Sequence, residues 1–442
     1  MPVSIAIVGA GPAGFYTAQA LLRTELDCRI DIIERLPTPF GLVRAGVAPD
    51  HQRTKQVTRA YEKTALDPNV NYYGNVEIGG GISLFELRRF YDAVVLTTGA
   101  PNDRPLDIPG NDLAGVYGAA EFVGWYNGHP NFRHLDPDLH TPGVAVIGNG
   151  NVALDIARVL AKTPDEMAVA DMPPHATDLI HAAPITDIHV VGRRGPAESK
   201  FSNAELCEMG NLADGLPVID PALLPEAIDA SIPERERRVA EKNLATFRVM
   251  SGLVPTGQRK RVHFLFHAQP VEILGRDRVS GVRFERTRVV DGAAVGTGDF
   301  FEIPCGAVVV AIGYQMDSLD GLPIDRRSGT VINRGGRAGK GLFVAGWAKR
   351  GSNGVIGSNK ADGDVVARHI CEDTPISRKP GRIALERALT AAGVRWVSYG
   401  EWKEIDAVEV AAAPQGAPRR KLTHIDDMLT VLDGNPAAKA AR

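Results

Sequence analysis

Cysteine is scarce in this 442-residue chain: Cys28, Cys207, Cys305 and Cys371 are the only four, and no two are close in sequence. Without a C-x-x-C or similar pair there is no recognisable redox disulfide, and no sequence-local ligand set for zinc or an iron–sulfur cluster. Four thiols would suffice for two disulfides in an oxidising compartment, but thiols so dispersed read more simply as the reduced cysteines of a cytoplasmic protein. No apolar run approaches the roughly twenty residues of a membrane span. No basic leader precedes the first apolar stretch, which reads as a strand. A charge excess is also missing. Fifty Lys and Arg against 53 Asp and Glu leave a net charge of −3, so no global field draws nucleic acid or anionic lipid. The length allows two or three domains with full cores.

Glycine, by contrast, is abundant and placed in a pattern. The turn Gly9-Ala10-Gly11-Pro12-Ala13-Gly14 follows the apolar run Val3 to Val8 and opens a helical pattern, Phe15 to Leu22. About 140 residues later, Gly148-Asn149-Gly150-Asn151-Val152-Ala153 follows Val144 to Ile147 and opens Leu154 to Leu160. In such a strand–turn–helix unit the first glycine permits the tight turn and the second lets the main chain approach a pyrophosphate. The third position, which must be small, packs helix against strand. The helix N-terminus then offers N–H groups and a partial positive charge to the phosphates. Two such units imply two dinucleotides in one protein.

The next strand of each unit separates the ligands. Ile30-Asp31-Ile32-Ile33-Glu34 puts an acid twenty residues beyond Gly14. A carboxylate there accepts ribose hydroxyls and repels a 2′-phosphate, which favours FAD or NAD over NADP. Ile188-His189-Val190-Val191-Gly192 runs instead into Arg193 and Arg194, whose guanidiniums suit a phosphate monoester. The order is therefore FAD first and NADP second. The strand ends Thr97-Thr98-Gly99, Ala307 to Gly313 and Gly341 to Trp347 mark where each half closes. The expected architecture is α/β: two Rossmann-like dinucleotide-binding domains, the NADP domain inserted into the FAD domain. Its expected boundaries are 1–103 for the first FAD part, 104–324 for the NADP domain, and 325–442 for the second FAD part with C-terminal helices. His51 to Leu66 reads as one helical stretch. Pro164 to Pro184 reads as an irregular excursion of unknown role, and the stretch after Cys371 as helices with a packing role.

Longer strings carry a family resemblance. Pro37-Thr38-Pro39-Phe40-Gly41-Leu42-Val43-Arg44-Ala45-Gly46-Val47-Ala48-Pro49-Asp50-His51, Gly148 to Asp155, Val191-Gly192-Arg193-Arg194-Gly195-Pro196, Gly346-Trp347 and Gly354-Val355-Ile356-Gly357-Ser358-Asn359-Lys360 resemble the ferredoxin–NADP⁺ reductases of the adrenodoxin-reductase type, close to the actinobacterial members, over nearly the whole chain. The resemblance implies that FAD is held by Gly9, Gly11, Gly14, Glu34 at the ribose, Leu42, Ile78 near the adenine, and Trp347, Gly354, Val355 and Ile356 at the flavin end. It implies that NADP(H) is held by Asn149, Gly150, Asn151, Val152, Arg193, Arg194 and Glu205, with Arg104 nearby and Gly354 near the nicotinamide.

The same resemblance implies an enzyme that transfers a hydride from NADPH to FAD and then single electrons to a ferredoxin, an iron–sulfur protein. It marks His51 and Glu208 as candidate catalytic groups that position the nicotinamide or relay a proton; the plain alternative for the pair is a salt bridge, with Asp50 an N-cap. A usually acidic ferredoxin calls for a local basic patch, for which Arg235, Arg237 and Arg238 are candidates, although Glu234 and Glu236 interrupt it, Cys207 replaces a basic residue of relatives, and such runs often form a solvated helix face. Two other readings stay open: another NADPH-dependent flavoenzyme, such as the electron-input subunit of a glutamate-synthase-like complex, and a non-catalytic redox-sensing flavoprotein. The first is disfavoured because such subunits carry a cysteine-rich region ahead of the FAD turn, where this chain has only its first strand.

Overall fold

A computed structural model describes residues 2–230, 232–316, 319, 322–325, 327–374 and 379–434. The chain divides into two compact units, one comprising residues 1–102, 127–133 and 314–442, the other 103–126 and 134–313. The changeovers thus fall at 102/103, beside the expected 103/104, and at 313/314, well before the expected 324/325, and the short return of 127–133 to the first unit had no sequence signal.

The first unit is built on a six-stranded sheet in the order Arg337–Gly339, Leu342–Val344, Ala93–Leu96, Val3–Val8, Cys28–Ile33, Val70–Tyr73. All neighbours pair in parallel except the first two, which run antiparallel. Side chains alternate across a strand, and here both faces are covered. Val3, Ile5 and Ile7 enter a core with Phe15, Ala18 and Leu21 of the helix Pro12–Leu22 and with Val366 and Ile370 of the helix Ser358–Asp373. Ala6 and Val8 enter the opposite core with Leu84 and Leu87 of the helix Leu84–Phe90 and Leu385 and Leu389 of the helix Arg382–Ala391. That two-sided burial explains the nearly continuous apolar run of the first strand, broken at the half-buried Ser4.

The second unit repeats the plan with a parallel sheet in the order Val116–Gly118, Ala307–Val310, Gly143–Ile147, Asp187–Val191, Lys260–Leu265, Gly215–Ile219. Here a three-stranded antiparallel sheet, Ala268–Gly275, Val279–Val290 and Ala293–Pro304, covers one face: Ile273, Val282, Phe284 and Ile303 pack with Ala145, Ile147, Val191, Val308 and Val310. In each sheet the strand that feeds a glycine turn lies between a strand that follows it and one from far downstream. That is the topological switch point, where open α/β sheets take their ligands.

Two local expectations change. The stretch His51 to Leu66 is two helices, Gln52–Lys55 and Thr58–Ala65. Across the junction Gln56 and Val57, and Arg59 and Ala60 in the first turn of the second helix, donate to carbonyls three residues back, so the spiral tightens and breaks. Pro164 to Pro184 is helical, with Pro164–Met167 and Pro174–Ala182; Thr163 and Glu166 form a reciprocal capping box at the start of the first.

Candidate functional site

At the first turn Gly9 has φ +109°, and a Cβ there would lie 2.6 Å from the Thr97 carbonyl oxygen; at Gly14 it would lie 2.1 Å from the Gly9 oxygen. The fold itself requires glycine at both. Gly11 differs. Its backbone is extended (φ −85°, ψ −172°), and the nearest atom to an added Cβ is the Gly41 Cα at 4.0 Å. Folding places no demand on Gly11; what its missing side chain leaves open is the approach to the helix start. That helix has Gly11 as its N-cap, Pro12 in its first turn and no side-chain cap, so its leading N–H groups are left for an anion. This is the cradle that a dinucleotide pyrophosphate needs.

Glu34 follows the strand Cys28–Ile33 directly. The Ala10 N–H donates to its Oε2 at 2.8 Å and the Leu36 N–H to its Oε1 at 3.2 Å. Burial pushes the carboxyl pKa up, against the pull of those two N–H groups. The Pro37–His51 loop reaches the same turn: the Phe40 N–H donates to the Ala10 carbonyl at 2.8 Å, and a Cβ on Gly41 would come within 3.1 Å of the Gly11 Cα. Leu42 opens the short helix Leu42–Ala45 with its side chain exposed. Ile78 is half-buried and packs on the core that holds Val76 and Ile82.

The other sequence-marked segment of this unit starts at Gly346. Its N–H donates to Asp362 Oδ2 at 3.2 Å, and Asp362 also binds Lys349 Nζ at 2.8 Å and the Arg350 guanidinium. Trp347 stacks on Tyr314, ring centroids 5.7 Å apart and 28° between planes. Gly354 has φ +87°, Gly354 and Val355 are exposed, and the long helix begins at Ser358, which closes the turn by accepting the Val355 N–H on Oγ at 3.2 Å. Asp362, which fastens this turn, was missed by sequence reasoning; its spacing from Gly346 carries no local signal.

The second turn repeats the logic. A Cβ on Gly148 would sit 2.3 Å from the Ala311 oxygen, whereas one on Gly150 would meet nothing nearer than Lys200 Cβ at 4.0 Å. The helix Asn151–Ala161 has Gly150 as N-cap without a side-chain cap, and Ala153, in the third position, is wholly buried. Residues 198–208 fold back on this turn. The Lys200 N–H donates to the Asn149 carbonyl at 2.8 Å and the Ser202 N–H to Asn151 Oδ1 at 2.7 Å, while Ser202 Oγ donates to Glu205. Asn149, Gly150, Asn151 and Glu205 are thereby brought together, and Asn149 also abuts Gly192 at the end of the strand Asp187–Val191. Val152, half-buried, is the helix's second residue. Arg193 is exposed and Arg194 half-buried, its Nη1 3.4 Å from the Gly292 carbonyl. Arg104 is tied by its N–H to the Gly313 carbonyl at 3.0 Å, close in sequence to the Ala311 that abuts Gly148.

Of the two candidate catalytic groups, His51 belongs to the first unit and Glu208 to the second. His51, not Asp50, is the N-cap of Gln52–Lys55, and its side chain makes no capping bond. Glu208 ends the helix Asn203–Glu208 and accepts the Arg158 Nε at 3.3 Å; Arg158 is fully buried and also pairs with Asp155 at 2.8 Å. Arg158 is a second residue that sequence reading missed. A cation inside the buried stripe of Asn151–Ala161, three residues after an acid, was the available sign. In the basic run, Arg238 pairs with Glu234 and Arg237 with Glu241 at 3.8 Å, both at helical i,i+4 spacing on Glu234–Ser251. All four cysteines are free, and burial lifts Cys28 to about 11 and Cys305 to about 12, which leaves both as inert thiols. Among the described residues no helix is long and apolar enough to cross a membrane.

Two glycine turns at uncapped helix starts, one beside Glu34 and one next to the strand that runs into Arg193 and Arg194, are what a reductase of the two-dinucleotide class requires. A family model described as pyridine nucleotide-disulphide oxidoreductase matches residues 3–186. The chain is 40% identical to the NADPH-ferredoxin reductase FprA of Mycobacterium tuberculosis over 97% of its length and 99% of that protein, and 39% identical to the mitochondrial NADPH:adrenodoxin oxidoreductase of Homo sapiens, over 97% and 91%. The solved structure of Mycobacterium tuberculosis FprA in complex with NADPH superposes with a TM-score of 0.93 at 40% identity, covering 98% of this chain and 100% of the other. The chain belongs to the family of NADPH–ferredoxin and NADPH–adrenodoxin reductases.

Proposed function

We propose that this protein is a cytoplasmic FAD-dependent oxidoreductase that takes a hydride from NADPH and passes single electrons to a ferredoxin. The observation that carries the reading is the pair of open second-glycine positions, Gly11 and Gly150, each at an uncapped helix start, with Glu34 beside one and Arg193 and Arg194 following the strand next to the other. Bound FAD supplies a ring that accepts two electrons together and gives them up one at a time.

The chain's own residues do the rest. The Pro12–Leu22 helix start holds the FAD pyrophosphate, and Glu34 accepts ribose hydroxyls while rejecting an added phosphate. Leu42 and Ile78 flank the adenosine half. Trp347 and the Gly354–Ile356 turn, fastened through Asp362, receive the flavin half, and Gly354 also serves the nicotinamide. At the second turn Asn149 to Val152 and Glu205 hold NADP(H), with Arg104 nearby; Arg193 and Arg194 grip its 2′-phosphate through charge-assisted bonds. His51 and Glu208 orient the nicotinamide or move the accompanying proton, Glu208 being held in place by Arg158. Arg235, Arg237 and Arg238 form the docking patch for an acidic ferredoxin, with Arg237 and Arg238 drawing on pairs they must exchange.

The test is anaerobic mixing of the flavin-loaded protein with NADPH, followed by ferredoxin and cytochrome c. Prompt bleaching of the flavin and ferredoxin-dependent cytochrome reduction are expected. Bleaching by NADH as fast as by NADPH would sink the role given to Arg193 and Arg194. Bleaching without any electron transfer to ferredoxin would leave a flavoprotein of another kind.

A further inference from the structure

The C-terminal segment holds a buried charge cluster that reaches the loop beside the first glycine turn. Glu409, on the helix Tyr399–Ala411, is wholly buried. Its carboxylate accepts both terminal nitrogens of Arg44, one at 2.8 Å, together with Arg419 Nη1 at 3.3 Å and the Leu422 N–H at 2.9 Å. The Arg44 guanidinium also lies over the Trp402 ring, 5.2 Å from its centroid, and Trp402 meets Phe40 edge to face at 6.0 Å. The backbone of Arg44 is held from the same direction: Lys421 Nζ, buried, donates to the Arg44 carbonyl at 3.0 Å and to the Asn127 carbonyl at 3.1 Å.

Phe40 and Arg44 bracket Gly41, the residue whose backbone rests on Gly11, and Phe40 itself donates to Ala10. Phe40 also packs on Phe15 and Tyr61, but the side-chain bonds of Arg44 and the lysine bond to its carbonyl all come from the C-terminal segment. Buried charges are costly unless fully paired, and removing one partner leaves the others exposed to that cost; an ordinary packing helix has no need of them. We propose that the segment from Trp402 to Leu422 is a clamp that sets the Phe40–Gly46 turn against the FAD cradle, with Glu409 and Lys421 as positioning residues for FAD retention. The proposal rests on the assignment of the first turn to FAD.

The test uses the full-length protein, stripped of flavin and titrated with FAD by fluorescence quenching. Lys421→Met removes the hydrogen bonds to the Arg44 and Asn127 carbonyls, and Glu409→Gln removes the charge that Arg44 and Arg419 share. The folded Lys421→Met protein should bind FAD about tenfold more weakly, as two lost hydrogen bonds imply, and the visible circular dichroism of its bound flavin should change. Its affinity for NADP⁺ should stay as it was. Glu409→Gln should show the same signature, more strongly if it folds. Unchanged FAD affinity and flavin dichroism in folded Lys421→Met would overturn the clamp, as would an equal loss of NADP⁺ affinity, which would mean general loosening. Gly11→Ala separates the two assignments. If it leaves FAD binding untouched, the first turn is not the FAD site and the clamp falls with it; if it abolishes binding while Lys421→Met does not weaken it, the clamp alone is wrong.

Discussion

The Ala10 N–H donates to Glu34 Oε2 at 2.8 Å, so the acid proposed to sort ribose from ribose phosphate is fastened to the first glycine turn. Its other oxygen is fixed by the Leu36 N–H, and the carboxylate therefore has no freedom to swing away from a ligand at the turn. Glu34→Gln keeps the size and one acceptor but loses the charge. Hydrogen bonds to charged groups contribute about 1.5–3 kcal/mol, so FAD affinity should fall about tenfold to a hundredfold. Isothermal titration of the flavin-free protein measures this. Unaltered affinity would remove Glu34 from the ribose.

Gly11 and Gly150 allow a sharper separation. An added Cβ meets protein atoms no nearer than 4.0 Å at either position, and neither backbone is in the left-handed region. Alanine should fold at both, at a cost of about 1 kcal/mol for a poorer N-cap. Each methyl group would nevertheless stand where a pyrophosphate must come close. Gly11→Ala should weaken FAD and spare NADP⁺, and Gly150→Ala should do the reverse. Loss of both ligands in either variant would show that the turns are not independent cradles.

These predictions rest on what local sterics write into sequence. Both turns, their strands and Glu34 were legible because a tight turn, a small third residue and an acid at fixed spacing are all set within about thirty residues. Asp362 and Glu409 were not legible as site-shaping groups. Each acts through a partner brought near by the fold rather than by spacing, as Asp362 with Gly346 or Glu409 with Arg44. The helical nature of Pro164 to Pro184 was available in the Thr163–Glu166 capping box, which its proline and alanine content obscured. The antiparallel sheet from Ala268 to Pro304 had weaker signs. Its outer strand is almost fully exposed and lacks the alternation that marks a half-buried strand.

Arg193 and Arg194 supply the test of nucleotide preference. Arg193 is exposed, and Arg194 makes one long bond to a carbonyl, so replacing them should not disturb the fold. The Arg193→Ala, Arg194→Ala double variant loses two charge-assisted contacts to a 2′-phosphate, each about 1.5–3 kcal/mol. The ratio kcat/KM for NADPH should fall about a hundredfold or more, with the change carried by KM, while that for NADH should barely move. Equal losses for the two nucleotides would place the arginines at the pyrophosphate instead.

Stability should fall on mild acidification, and His189 is the group to watch. Its ring stacks on His263 at 4.7 Å, and His263 pairs with Asp187, which also takes both nitrogens of the Arg261 fork. Burial, and then the neighbouring His263, hold its pKa down to about 4. A histidine with a folded pKa below its ordinary value is neutral in the fold and takes up a proton on unfolding. Its contribution is whole above about pH 6.5 and is lost as pH falls toward 4. At pH 5 the loss should be about 2 kcal/mol. His189→Gln cannot titrate, so the difference in urea midpoint between pH 7 and pH 5 should be smaller in the variant than in the parent. Equal differences in the two proteins would mean that His189 is solvated enough to protonate at its ordinary pKa.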